Sequence, residues 1–262
     1  MKEEGRWITI NGTHVFVKEG QSVMDAFIRG SYNKNKGHNN KVDDLENVMQ
    51  KLEEKKYHIK GSWKKVDKDF LAANLNQFEK LRTEYEDVLI KPYNYRTGFG
   101  IKFEKIEENT FGRFEIDKGK ITLNSIYFED KEKCIQAELR GIESGWHVPV
   151  EQGNEQLYTV THEFGHYLEH SLMKRYNKGK KEKIVLGTKF DNILQTEYFN
   201  RMKSKTGESS IRIREKYFSG YSKSKGESEW FAEIFTQSKL GKSDVSTQTL
   251  TEIIDDIIGG RM

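Results

Sequence analysis

The sequence is poor in cysteine and proline. Its 262 residues include one cysteine, Cys134, and two prolines. A single cysteine excludes an internal disulfide framework and any metal site built from several thiolates. A bound metal would therefore need histidine, aspartate or glutamate ligands. Cys134 lies in a polar run without a partner motif, so we expect a small, semi-buried residue rather than a nucleophile.

Long apolar runs are absent, and neither sign of charge dominates. No uncharged stretch approaches the length of a membrane span, and the N-terminal MKEEGRWITING lacks the apolar core and cleavage site of a signal peptide. The 44 basic residues nearly balance the 41 acidic ones, which gives a net charge of +3. We therefore expect a soluble protein, made inside a cell, that binds neither nucleic acid nor membrane. No signal in the sequence specifies its oligomeric state.

The N-terminal part of the chain divides into two predicted segments. In residues 1–30, two β-prone runs surround Asn11-Gly12, which favours a hairpin with a two-residue turn, and a short helix is predicted to begin at Ser22. Residues 31–41 offer nothing to bury and are rich in turn formers, so we predict a linker.

The remaining chain is predicted to form a helical region and a catalytic domain. Residues 42–92 carry apolar side chains at helical spacing in two segments, and Lys91-Pro92 ends the second. Residues 93–262 begin with short alternating runs, which indicate a small antiparallel or mixed sheet, and continue as helices. This order predicts an α+β fold with an N-terminal hairpin and helical appendage.

One hexapeptide, Thr161-His162-Glu163-Phe164-Gly165-His166, points to metal chemistry. In a helix, His162 and His166 lie one turn apart on the same face, and two neutral imidazoles suit Zn²⁺. Glu163 projects beside the metal, where it can take a proton from the attacking water as a general base. An apolar stripe at helical spacing supports the helix, and Gly165 indicates close packing at that point.

A catalytic zinc usually needs a third protein ligand and an open coordination position. Glu169 and Leu172 occupy the positions where metzincins have glycine and histidine, so that class is excluded. His170 is expected to lie on the helix surface or beside a ligand. The segment E229-W230-F231-A232-E233 has the spacing of the glutamate helix in gluzincins. This spacing predicts Glu229 as the third metal ligand and Glu233 as the residue that orients a ligand histidine. The alanine between them permits close approach of the two helices.

These two motifs, with Tyr221, resemble the catalytic domain of anthrax lethal factor and its relatives. The relatives include secreted proline-specific endopeptidases of clostridia and zincin-like domains of prophages and mobile elements. The resemblance covers roughly residues 95–240, and its specific part is confined to the two helices and the tyrosine segment. It implies a zincin-like fold, a Zn²⁺ cofactor, a protein or peptide substrate, and a cytoplasmic or phage-associated setting.

The resemblance also implies a tyrosine that donates a hydrogen bond to the developing oxyanion. The family gap to the ligand glutamate is typically seven residues, whereas Tyr221 precedes Glu229 by eight, so Tyr217 is kept as an alternative. By fold analogy, edge-strand backbone near Ile121–Asn124 is expected to align an extended peptide by strand addition.

Two other functions compete with a zinc endopeptidase. Glu227-Ser228-Glu229 spells the acid-x-acid signature of arginine-modifying ADP-ribosyltransferases, but the serines of 206–210 and 219–224 offer no convincing strand for such an enzyme. A zincin-like fold could also serve as a non-enzymatic structural or interaction protein, with residues 1–90 as the interaction part. The presence of Glu163 argues against that reading, because a structural zinc needs no base.

Overall fold

The computed structural model describes residues 43–90, 99–115, 120–185, 187–226 and 228–262, together with the backbone of two N-terminal strands. The chain forms two compact units, Met1–Lys41 and Val42–Met262. In the first, β1 (Gly5–Ile10) pairs antiparallel with β2 (Thr13–Lys18), and Ile10 lies opposite Thr13. This confirms the hairpin. The predicted helix start at Ser22 and the linker 31–41 lie outside the described residues.

The second unit contains a four-stranded mixed sheet in the order β3-β4-β6-β5. Its strands are β3 (Tyr57–Gly61), β4 (Phe99–Glu104), β5 (Gly112–Glu115) and β6 (Lys120–Asn124). The first three strands in this order run parallel to one another, and only β5 pairs antiparallel with β6. The sheet is therefore mixed, within the predicted antiparallel or mixed sheet, although alternation alone did not fix which strands are neighbours.

Helices supply the rest of the described part of the second unit, ten of them in chain order. They are α1 (Leu45–Glu54), α2 (Lys68–Glu84), α3 (Ser125–Phe128), α4 (Lys131–Glu143), α5 (Tyr158–Tyr176), α6 (Gly187–Thr206), α7 (Ser210–Tyr217), α8 (Gly220–Lys225), α9 (Glu229–Leu240) and α10 (Val245–Ile258). The architecture is α+β, as predicted. No helix among the described residues is both long enough and apolar enough to cross a bilayer.

The helical region predicted for residues 42–92 contributes a strand as well as two helices. Between α1 and α2, the segment from Tyr57 to Gly61 pairs in parallel with β4. Gly61 has φ +82°, and an added Cβ there would lie 2.0 Å from the Phe103 carbonyl oxygen, so glycine is required where the strand ends. The predicted boundary between residues 92 and 93 falls inside one compact unit.

Helix α5 lies at the centre of the second unit and packs against the sheet, α2, α9 and α10. Its predicted apolar stripe is buried at Val160, Phe164, Leu168 and Leu172. Its opposite side carries the polar residues of the hexapeptide. The core therefore fixes the rotation of α5, and with it the direction of its functional side chains.

Candidate functional site

Three side chains from two helices converge on one point. His162 and His166 lie one turn apart on α5, and Glu229 is the first residue of α9. Glu229 Oε2 lies 3.0 Å from His162 Nε2 and 3.3 Å from His166 Nε2. One donor atom from each of the three side chains lies within 4.8 Å of the other two. Among the described residues, this is the group that could hold a metal ion.

A buried network orients His162. Its Nδ1 lies 3.1 Å from Glu233 Oε1, on the side of the ring away from Glu229. Glu233 is 1% exposed, and it accepts hydrogen bonds from Tyr158 Oη at 2.7 Å and from the Val148 N–H at 3.1 Å. Partners of this kind fix both the tautomer and the ring orientation of a metal-binding histidine. Glu233 therefore lies where the sequence predicted it.

The charges in this cluster favour a cation at its centre. Burial lowers the pKa of His162, but the carboxylates of Glu229 and Glu233 outweigh burial and raise it well above its ordinary value. Burial likewise raises the pKa of Glu229, but His162 and His166 outweigh it and hold that pKa far below the usual range. A positive charge at this point is stabilised, whether a proton or a metal ion carries it.

Glu163 lies beside the cluster and is buried. Its Oε2 has no hydrogen-bond partner. Burial raises the pKa of Glu163, which the positive charges of His162 and His166 oppose. The strand β5 approaches Glu163 closely at Gly112, where an added Cβ would lie 2.9 Å from Glu163 Cγ and 2.9 Å from Thr159 Cγ2. Glycine at 112 is therefore needed to bring the strand over this carboxylate.

Tyr221 faces the same site from α8, and Tyr217 does not. The Tyr221 ring centroid lies 5.9 Å from that of His162, and the side chain lines the cleft together with Glu163 and Glu229. Tyr217 packs against the hydrophobic core instead. The Tyr221 N–H donates to the Trp146 carbonyl oxygen at 2.8 Å, so the loop before α5 positions α8.

Glu138 and His147 form a second buried pair next to the network. His147 Nδ1 lies 3.0 Å from Glu138 Oε2, and Glu138 is 1% exposed. The His147 ring stacks on Tyr158 at a centroid distance of 4.8 Å and meets the edge of Tyr221 at 6.1 Å. This pair therefore supports both the tyrosine that holds Glu233 and the tyrosine that faces the site.

The cleft extends from the three convergent side chains along α5. Its far end is lined by Glu169, His170, Met173 and the start of α6, including Asp191. His170 lines this cleft and does not belong to the group that could hold a metal. Arg113 and Phe114 of β5 line another wall.

No protein-family model matches this sequence, and a search of curated proteins finds no match.

The structure bears on three further expectations from the sequence: the edge strand, the cysteine and the serine segments. The strand containing Ile121–Asn124 is not an edge strand, because β6 lies between β4 and β5; the outer strand at the cleft is β5. Cys134 is fully buried, and burial raises the pKa of its thiol well above the ordinary value, which disfavours a nucleophile. The serines at 209 and 219 cap helices α7 and α8 and do not lie in a strand.

Sequence reasoning missed several residues of the site. Tyr158 lies one turn before His162 on the same helix, and that i, i+4 spacing could have identified it. Glu138 and His147 come from a separate helix and loop, and neither was assigned to the site from the sequence. Gly112 and Glu169 acquire their positions only when the sheet and α6 close over α5.

Proposed function

We propose that this chain is a zinc-dependent endopeptidase with a zincin-like catalytic domain. The observation that carries the proposal is the convergence of His162, His166 and Glu229 next to a buried carboxylate, Glu163, that lacks a partner for one oxygen. A structural metal site needs ligands but no base. A buried acid beside them, in an open cleft, is what general-base hydrolysis requires.

The donor set has the composition and spacing of a zinc site. Ligand atoms held about 2.0–2.1 Å from a tetrahedral zinc lie roughly 3.3 Å from one another. The separations of 3.0 and 3.3 Å between Glu229 Oε2 and the two imidazole Nε2 atoms agree with this value. Two histidines and a carboxylate also leave one coordination position open, as catalytic zinc sites do. His162, His166 and Glu229 would hold the ion.

Glu163 is placed to move the proton in hydrolysis. A bound zinc ion would act as a Lewis acid on the scissile carbonyl and would lower the pKa of the attacking water. Glu163 then accepts the proton from that water at its carboxylate and delivers it to the nitrogen of the departing amine. Burial raises the pKa of Glu163, which makes it a stronger base than an exposed glutamate.

Tyr221 is placed to stabilise the negative charge that develops on the carbonyl oxygen. Burial, followed by the negative charges of Glu229 and Glu163, raises the pKa of its phenol above the ordinary value. The hydroxyl therefore stays protonated at neutral pH and remains a hydrogen-bond donor. A donor fixed in advance toward an oxyanion contributes to catalysis because it needs no reorganisation during the reaction.

The strand β5 supplies a surface for an extended peptide. It is one of the two outer strands of the described sheet, and its residues Gly112, Arg113 and Phe114 line the cleft. An extended substrate can add to such an edge through backbone hydrogen bonds, which orient it independently of sequence. This replaces the earlier expectation that residues 121–124 provide that edge.

The decisive experiment is the Glu163→Gln substitution. The purified protein and the variant are loaded with zinc, their zinc content is measured, and both are incubated with a peptide library whose products are identified by mass spectrometry. Wild type is expected to bind one zinc and cleave peptides. E163Q is expected to retain zinc and lose cleavage, because an amide cannot accept the proton.

The Glu182→Gln variant is the matched control, since it makes the same chemical change at an exposed glutamate outside the cleft. It should cleave as wild type does. A wild-type protein that binds zinc stoichiometrically but cleaves nothing would favour the non-enzymatic zincin-like alternative. Zinc well below one equivalent would refute both metal-dependent functions.

A further inference from the structure

The cleft continues beyond the three metal-binding side chains along one face of α5. The residues of α5 that line it are His162, Glu163, His166, Glu169, His170 and Met173. This stripe runs about 16 Å along the helix axis at 1.5 Å per residue. The cavity volume is about 730 Å³, which is within the range of sites that enclose a ligand of several side chains. The far end therefore has room for part of a substrate.

Two acidic side chains are buried at this end. Glu169 is 7% exposed and Asp191 is 1% exposed. Asp191 Oδ1 accepts a hydrogen bond from Trp230 Nε1 at 2.6 Å, which fixes its orientation. Glu169 has no hydrogen bond or ion pair with any described residue. Its carboxyl lies in the wall of the cavity, where a ligand can supply the missing partner.

The electrostatic surroundings indicate a positively charged ligand. Burial, and then the negative charges of Asp191 and Glu229, raise the pKa of Glu169 well above its ordinary value. A cation beside Glu169 would offset these negative charges. Arg113 also lines the cavity, but it pairs with Glu107 and Glu115. In the described part of the chain, no cationic side chain lies within ion-pair distance of Glu169.

The walls favour an organic cation over a second metal ion. Met173 and Phe190 line the same end of the cavity and are otherwise buried, so they present an apolar surface. Such a surface suits the methylene stem of lysine or arginine. Within the described residues, Glu169 and Asp191 do not form part of any three-ligand group of metal-site dimensions.

We propose that this end of the cleft recognises the side chain of a lysine or arginine next to the scissile bond. The ammonium or guanidinium group donates hydrogen bonds to Glu169, with the negative charge of Asp191 nearby, and its stem lies between Met173 and Phe190. Glu169 lies one helical turn beyond His166, about 4.5 Å along the axis, so an extended basic side chain spans the distance. As a statement about substrate, the assignment rests on the proposed function.

The test compares peptides that differ in charge alone. Peptides taken from the cleavage library are synthesised with arginine or its neutral isostere citrulline at each of the two positions flanking the scissile bond. Wild type is expected to cleave the arginine peptide with a kcat/KM about 10- to 100-fold higher at one of these positions, the range that a charge-assisted hydrogen bond supplies. Glu169→Gln and Asp191→Asn should reduce that ratio, and the exposed control Glu182→Gln should not.

Binding provides a second readout that does not need cleavage. N-butylguanidinium and the neutral N-butylurea are titrated into ¹⁵N-labelled protein, and amide shifts around α5 and α6 are followed. N-butylguanidinium should bind wild type more tightly than N-butylurea does, and the E169Q substitution should abolish this difference in affinity. If the probes bind in this way but wild type cleaves no peptide, the endopeptidase function would be refuted, whereas the cation-binding site at Glu169 would stand.

Three outcomes would overturn the inference while leaving the endopeptidase intact. The first is equal cleavage of arginine and citrulline peptides by wild type. The second is a preference that survives in both E169Q and D191N. The third is a second equivalent of bound zinc that disappears in E169Q, which would make the far end a metal site. Circular dichroism of each variant establishes that it is folded. The comparison of arginine and citrulline peptides with wild type needs no variant.

Discussion

Gly165 and Ala232 bring the two ligand-bearing helices into backbone contact. A Cβ on Gly165 would lie 3.0 Å from the Ala232 Cα and 3.3 Å from the Ala232 Cβ. Gly165 immediately precedes His166, and Ala232 lies one turn after Glu229. The spacing of α5 and α9 at this contact therefore sets the spacing of the ligand atoms. The contact between Gly165 and Ala232 confirms the close packing that the sequence predicted at Gly165.

Replacing Gly165 with alanine is expected to destabilise the protein. Alanine gains about 1 kcal/mol of helix propensity over glycine, but overpacking of a buried contact costs about 1–3 kcal/mol. The free energy of unfolding, measured by urea denaturation, should therefore fall. Gly100→Ala is the control, because a Cβ there makes an ordinary 3.5 Å contact with Lys120 Cβ. A G165A protein as stable as wild type would show that the helices can separate without cost.

The Tyr221→Phe substitution should lower kcat and leave zinc content unchanged. It removes the hydroxyl of a residue that lines the cleft and retains the ring contacts with Trp146 and His147. Loss of one oxyanion donor typically lowers kcat by about 10²- to 10³-fold. Tyr217→Phe makes the same change on the neighbouring helix α7 and should have little effect. Equal losses in the two variants would contradict the role assigned to Tyr221.

Glu233→Gln should weaken zinc binding without removing a ligand. The amide cannot supply the negative charge that faces His162 Nδ1 at 3.1 Å, and losses of such partners typically reduce metal affinity by about 10- to 100-fold. Competition with a fluorescent zinc chelator measures the change. Tyr158→Phe removes a single hydrogen bond to Glu233 and should have a smaller effect. Unchanged affinity in E233Q would mean that α5 alone orients the histidine.

Glu169 should make wild-type stability fall as pH rises. Its pKa in the folded protein is raised above the ordinary value of 4.5, so folding favours the protonated form. The stability from this proton uptake is fully present below the unfolded-state pKa and is lost as pH rises through the raised folded-state pKa. Each unit of that shift corresponds to about 1.4 kcal/mol.

The matched comparison uses E169Q, which stays neutral at every pH. Unfolding free energies of both proteins are measured by urea denaturation from pH 4 upward with a chelator present. As pH increases, the free energy of unfolding of wild type should fall relative to that of E169Q. Parallel pH curves for the two proteins would contradict a raised pKa at Glu169.

The local parts of the site could be predicted from the sequence. His162, Glu163 and His166 lie within one helical turn, so their mutual geometry follows from helix periodicity once the apolar stripe of α5 is identified. Glu229 and Glu233 could be assigned because their spacing matches a helix that must approach another closely. Both inferences depend on short-range geometry, which a sequence encodes directly.

The parts that depend on tertiary closure could not be predicted. Alternation marked β6 as a strand but could not place β5 outside it, because strand order is set by connections and packing. Helices α7 and α8 were missed, since their sequences are rich in lysine, arginine and serine and bury few apolar residues. Glu169 occupies an ordinary polar position of α5 until α6 packs over it.

The junction between α8 and the loop before α5 has a consequence for how such a site can be assembled. The N–H groups of Gly220 and Tyr221 donate to the carbonyl oxygens of Gly145 and Trp146, each at 2.8 Å. The side chains that could hold a metal ion come from α5 and α9, whereas Tyr221 is positioned by this separate junction. In the proposed mechanism, the metal ligands and the donor to the oxyanion would therefore depend on different elements of the fold. Grafting the two ligand helices onto another scaffold would transfer the first and leave the second behind.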